Sequence, residues 1–123
     1  MPIRFTIDPK LRRVNAVFDG KVTEDEIVSY YDALRADPSF DPNFDNFADC
    51  RAVDPQPDVK GSFVRAMPQF IPFSPTARHA IVVANPAIFG LARMFQLANK
   101  DDSNIEVFQN LDEARAWLEK PKK

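Results

Sequence analysis

The segment His79-Ala80-Ile81-Val82-Val83-Ala84 is apolar without alternation. A strand with one wet face alternates apolar and polar residues, so an unbroken run marks a strand covered on both faces, as in the interior of a parallel sheet. The segments on either side follow from it. Asn85-Pro86 reads as an N-cap with proline at the first helical position, opening a helix that runs to about Ala98. Ile105, Val107 and Phe108 form a last strand, and Asn110, acting through Glu113, caps a last helix that buries Leu111, Ala114, Trp117 and Leu118.

Upstream, Ile3, Phe5 and Ile7 alternate with Arg4, Thr6 and Asp8, and Val14, Ala16 and Phe18 repeat the period of two. Asp8-Pro9-Lys10 supplies turn chemistry between them, which predicts a β-hairpin closed by Asp19-Gly20. Thr23-Glu24-Asp25-Glu26 is a capping box, in which the Thr23 hydroxyl accepts from the Glu26 N–H while the Glu26 carboxylate reaches back. The helix it opens places Ile27, Tyr31 and Leu34 on one face with Val28 and Tyr30 beside them, and Asp37-Pro38 ends it. Ser39 to Asp45 reads as a loop pinned by Phe40 and Phe44, Phe47 to Cys50 as a short strand, and Arg51 to Pro57 as a loop. Asp58 to about Met67 is a weaker helix, interrupted by Gly61 and presenting Val59, Phe63, Val64 and Met67; Pro68, Pro72 and Pro75 then break the chain. The order is β-β-α-β-α-β-α-β-α, without repeat or linker. This predicts a single α/β domain with a mixed, mostly parallel five-stranded sheet, four helices and one antiparallel strand from the hairpin.

Composition narrows the function classes. A chain of 123 residues has the size of one domain. With 16 Lys+Arg against 18 Asp+Glu and no basic cluster beyond Lys120 to Lys123, a nucleic-acid partner is not expected. No apolar run approaches the roughly 20 residues of a membrane span, and Met1-Pro2-Ile3-Arg4 does not open a secretory signal. The single cysteine, Cys50, forms no internal bridge, which fits the cytoplasm. Three glycines, Gly20, Gly61 and Gly90, leave no phosphate-binding loop or dinucleotide fingerprint to be written. No cofactor and no metal are expected: Asp41, Asp45, Asp49 and Asp54 lack the spacing of a calcium loop, and Asp101-Asp102 reads as a solvated turn.

Among single residues, His79 opens a buried strand and reads as structural, and Cys50 as a small buried hydrophobe without a sequence-near base. Asp49 and Arg51, two apart at a strand end, point to the same side; an ion pair fixing the loop is the favoured reading, a pocket flank the other. Phe70, Ile71 and Phe73 sit with Met67 on a proline-broken segment, where aromatics line a pocket or a partner face if the core does not take them.

Five features in order carry a resemblance: Phe18-Asp19-Gly20-Lys21-Val22-Thr23 before the first helix; Ala48-Asp49-Cys50-Arg51; Arg78-His79-Ala80-Ile81-Val82-Val83; Gly90-Leu91-Ala92-Arg93-Met94-Phe95; and Val107-Phe108 followed by Glu113-Ala114-Arg115-Ala116-Trp117-Leu118. Spanning nearly the whole chain, they resemble the SpoIIAA-like (STAS/SEC14-type) family of small bacterial proteins. The resemblance implies the β-β-α-β-α-β-α-β-α fold and kinship with anti-sigma-factor antagonists and lipid-binding CRAL/TRIO domains. In the antagonists a segment Asp-Ser-Ser/Thr-Gly opens the second helix and is phosphorylated. Here it falls on Asp58-Val59-Lys60-Gly61, where Lys60 replaces the hydroxyl acceptor.

The function expected from these features is a non-enzymatic regulatory or protein-interaction domain lacking the usual phosphoswitch, docking around the second helix. The alternative is a carrier or sensor of an apolar, lipid-like small molecule, walled by the region from Phe63 to Phe73. The residues expected to touch ligand or partner are Asp49, Arg51, Asp58, Lys60, Phe63, Met67, Phe70, Ile71 and Phe73, with Met67 to Thr76 as cavity lining or as the seam of a homodimer.

Overall fold

In the computed structural model, residues 3–99 and 104–121 are described. The elements are β1 Ile3–Asp8, β2 Arg13–Gly20, α1 Glu24–Ala36, β3 Asp45–Val53, α2 Gly61–Ala66, a 3-10 turn Met67–Gln69, β4 His79–Val82, α3 Pro86–Ala98, β5 Ile105–Phe108 and α4 Leu111–Glu119. This is the expected order. One five-stranded sheet runs β1-β2-β3-β4-β5, with β1 antiparallel to β2 and every other pair parallel.

The apolar run lies where its composition puts it, between β3 and β5, with all four residues of β4 buried. Alternate β4 residues serve opposite layers. Ala80 and Val82 join Phe47 against Ala114 and Leu118 of α4, while Ile81 joins the larger core beneath α1, α2 and α3. The strand is shorter than the apolar run: Val83 adds one more bond, its N–H donating to Phe108 O at 2.9 Å, and Ala84 is exposed before the Asn85 cap.

The caps form as read. Thr23 and Glu26 complete the capping box, Asn85 accepts from the Ile88 N–H, and Asn110 accepts from the Glu113 N–H. Four expectations need correction. β3 extends from Asp45 to Val53, because residues beyond Asp49 lose β4 as a neighbour but keep pairing with β2 as far as Gly20↔Val53. Residues 58–60 are extended, and α2 starts only at Gly61; Asp58 is bridged to Thr23, and its N–H donates to Val22 O at 3.0 Å. Val28 turns outward at 40% exposure, Tyr30 taking its place in the core. Trp117 is half-buried, lying on Phe108 and under the Arg78 guanidinium rather than inside the core. Asp101-Asp102, read as a turn, and the terminal Lys122-Lys123 lie outside the described residues.

One tertiary contact had no sequence signal. Arg78, just before β4, pairs with Asp45 at 2.9 Å with both side chains nearly buried. The same guanidinium donates to the carbonyls of Trp117 (3.2 Å), Leu118 and Lys120 (2.7 Å) at the C-terminal end of α4, where backbone acceptors run out of helical partners. It fastens α4 to the N-terminal edge of the sheet.

Candidate functional site

Above the middle of the sheet, on the three-helix side, the core leaves an open cavity of about 120 Å3. Its floor is Asn46, Ala48 and Cys50 of β3 with Ile81 of β4; Ile27 and Tyr31 of α1 and Ile88, Ala92 and Phe95 of α3 make walls. Val64 of α2 and Met67 close one side. Residues 46, 48 and 50 share a face by the pleat. Val53 joins them out of phase because β3 carries one residue more than β2 opposite Val17 and Asp19, a β-bulge that resets the alternation.

No charged side chain lines the cavity. The lining groups that can hydrogen-bond through a side chain are the Tyr31 hydroxyl, the Cys50 thiol and the Asn46 carboxamide. Burial, with the Asp49 charge adding to it, pushes the Cys50 thiol up to about 12, so it stays protonated at neutral pH. Burial likewise raises Tyr31 and its neighbour Tyr30 well above the ordinary phenol value. Asn46 is 7% exposed, and its Nδ2 lies 3.2 Å from His79 Nδ1. His79, 4% exposed, stands edge-on between Phe73 and Phe95, at centroid distances of 5.1 and 5.5 Å. The ring is built into the core.

Of the nine residues singled out from sequence, Met67 lines this cavity. Phe63 and Phe70, not among its lining, meet each other at a tilt with centroids 5.4 Å apart, Phe70 also meeting Tyr31 at 6.4 Å. Ile71 packs half-buried against the same core. Phe73 is 6% exposed and edge-on to Phe40, so the proline-broken segment does not leave its rings bare: the protein's own core takes them. Asp58 and Lys60 lie before α2, the Lys60 N–H donating to Glu24 Oε2 at 2.7 Å.

Asp49 and Arg51 alternate with the floor residues and face away from the cavity. Arg51 Nε and Nη2 meet the two Asp49 oxygens at 2.9 and 3.0 Å, and these hydrogen bonds hold the Asp49 carboxyl below the usual carboxylate range. This is the ion pair expected as the plainer reading. Six of the lining residues (Phe18, Val22, Ile27, Ile88, Leu91, Ala92) carry no sequence signal that sets them apart from core, because nothing in periodicity distinguishes a residue against a void from one against a neighbour.

Among the described residues no helix is long and apolar enough to cross a membrane, and no three His, Cys, Asp or Glu gather to hold a metal ion. No protein-family model and no curated protein matches the chain. A solved structure does: an uncharacterized protein of the DUF3478 family with a SpoIIAA-like fold from Shewanella loihica PV-4. It is 14% identical, covers 94% of this chain and 93% of its own, and superposes with a TM-score of 0.61. The chain therefore has a SpoIIAA-like fold.

Proposed function

We propose that this protein is a non-enzymatic domain that carries or senses a small, uncharged, apolar molecule held between its sheet and the α1–α3 layer. The observation behind the reading is the cavity, about 120 Å3 of space that opens to the outside and is walled almost wholly by hydrocarbon. Close-packed interiors leave few voids larger than a water molecule. Apolar lining that faces water there is covered when a ring binds, at about 25 cal/mol per Å2. Apolar cavities of roughly 150 Å3 accept benzene. The occupant that fits is thus a single ring or short branched chain, shorter than the lipid suggested by resemblance.

Two groups that catalysis would need are otherwise engaged. The Cys50 thiol stays protonated, and the Asp49 carboxylate is committed to Arg51. In this reading no phosphoryl switch operates at Asp58-Val59-Lys60-Gly61, since an ammonium does not accept phosphate as a hydroxyl does.

Thermal unfolding with near-saturating toluene tests the proposal, paired with NMR spectra of the core methyl groups. A midpoint raised by several degrees, with shifts confined to Ile27, Val64, Ile81 and Ile88, is expected. No rise and no methyl shift would overturn it.

One observation favours a second reading, docking on a protein partner. In α3 the sole charged residue is Arg93, and Phe89 (40%) and Leu97 (66%) are exposed opposite the buried Ile88, Ala92 and Phe95. A helix apolar on both faces is ordinarily covered on both. Light scattering on wild type and Leu97→Glu distinguishes this: an assembly that the charge dissociates supports it, and a monomer in both cases rejects self-association.

A further inference from the structure

We propose that the ligand carries one hydroxyl on its otherwise apolar body and that the Asn46 carboxamide receives it. The inference rests on the cavity's being a ligand site. Asn46 is more than nine-tenths buried and belongs to the cavity floor. Its backbone is satisfied, the N–H donating to Arg78 O at 2.8 Å, and one end of its side chain is satisfied at His79. The other end is not, because Oδ1 has no hydrogen-bond partner. Buried side-chain polar atoms without a partner occur among the described residues at Arg13, Tyr30, Asn46 and Arg78, and of these residues Asn46 alone lines the cavity.

An unmet buried acceptor is costly, while a ligand that meets it recovers a hydrogen bond for which no protein group competes. The hydrocarbon walls admit no ion: a carboxylate or ammonium would be desolvated without a counter-charge. A neutral polar group is what remains. Turned end for end, the carboxamide would accept from a His79 Nδ1–H and leave an N–H unmet instead; a hydroxyl both donates and accepts, and so suits either arrangement. Discrimination of this kind is steep in the direction that matters, because a site built around a hydrogen bond rejects the analogue that lacks it.

Phenol and toluene have nearly the same shape and differ in the hydroxyl. Their dissociation constants, measured by NMR titration on wild type and on Asn46→Leu, give the test. The phenol-to-toluene affinity ratio is expected to fall about tenfold in the variant, the worth of one hydrogen bond. A second readout needs no variant: saturating phenol, but not toluene, should shift the Asn46 side-chain NH2 resonances of wild type. If both ligands bind and neither the ratio nor those resonances respond, the assignment of Asn46 is overturned while the cavity stands as a ligand site. Failure of both ligands to bind wild type overturns the cavity reading and this inference with it.

Discussion

Cys50 shows how far a side chain's chemistry depends on what lies above its strand. Its thiol is pushed up to about 12, and the Tyr30 and Tyr31 phenols are raised too, all chiefly by burial. The unfolded chain releases these protons at lower pH, from about 8.5 for cysteine and about 10 for tyrosine. The stability gained by keeping them protonated is therefore complete below about pH 8.5 and is lost as pH rises toward 12. Urea midpoints should be level from about pH 6 to 8 and fall above about 9, and Cys50→Ala should flatten the first part of that fall. Native protein should also react slowly with iodoacetamide at neutral pH, the rate rising sharply on denaturation. Arg78 is the other residue whose role lies in its partners. Arg78→Ala removes the guanidinium that pairs with the nearly buried Asp45 and donates to the carbonyls at the end of α4, and is expected to cost about 3–5 kcal/mol by chemical denaturation.

Among the elements, α4 separates burial from mere contact. Leu118 is 4% exposed within the core between α4 and the sheet, whereas the Trp117 indole is half-buried between Phe108 and the Arg78 guanidinium. Leu118→Ala should cost about 2–5 kcal/mol. Trp117→Ala should lose only about 1–2, less than the 3–5 typical of a fully buried ring. Equal losses in a denaturation series would place the indole inside. At the start of α1, Thr23→Ala removes the acceptor of the Glu26 N–H and should cost about 1 kcal/mol.

For the whole molecule, the cavity makes stability and binding opposed. Ala92→Leu extends a side chain from α3 into the space, and is expected to raise the thermal midpoint of the free protein while abolishing the toluene-induced rise. A lowered midpoint would mean that the site is filled and the variant overpacked.

The architecture was legible in the sequence because its signals are local. An apolar run without alternation requires neighbours on both faces, Thr23, Asn85 and Asn110 announce helix starts by what their side chains accept, and Asp8-Pro9 turns a hairpin. Boundaries set by a neighbour's extent were not legible: β3 outlasts its apolar core because β2 continues beside it, and α2 begins late because Asp58 and Lys60 are bonded to Thr23 and Glu24 at the start of α1. The site was legible least. Asp49 and Arg51 were correctly seen as a pair, yet which face they occupy depends on the pleat. Phe73 was assigned to core or surface only by the ring of Phe40 and the imidazole of His79 meeting it. The cavity and the unmet Asn46 oxygen depend on how side chains from α1, α2 and α3 meet β3 and β4. Periodicity records which side of an element avoids water; how completely the opposite layer fills that side is a matter of volume, which only the tertiary structure decides.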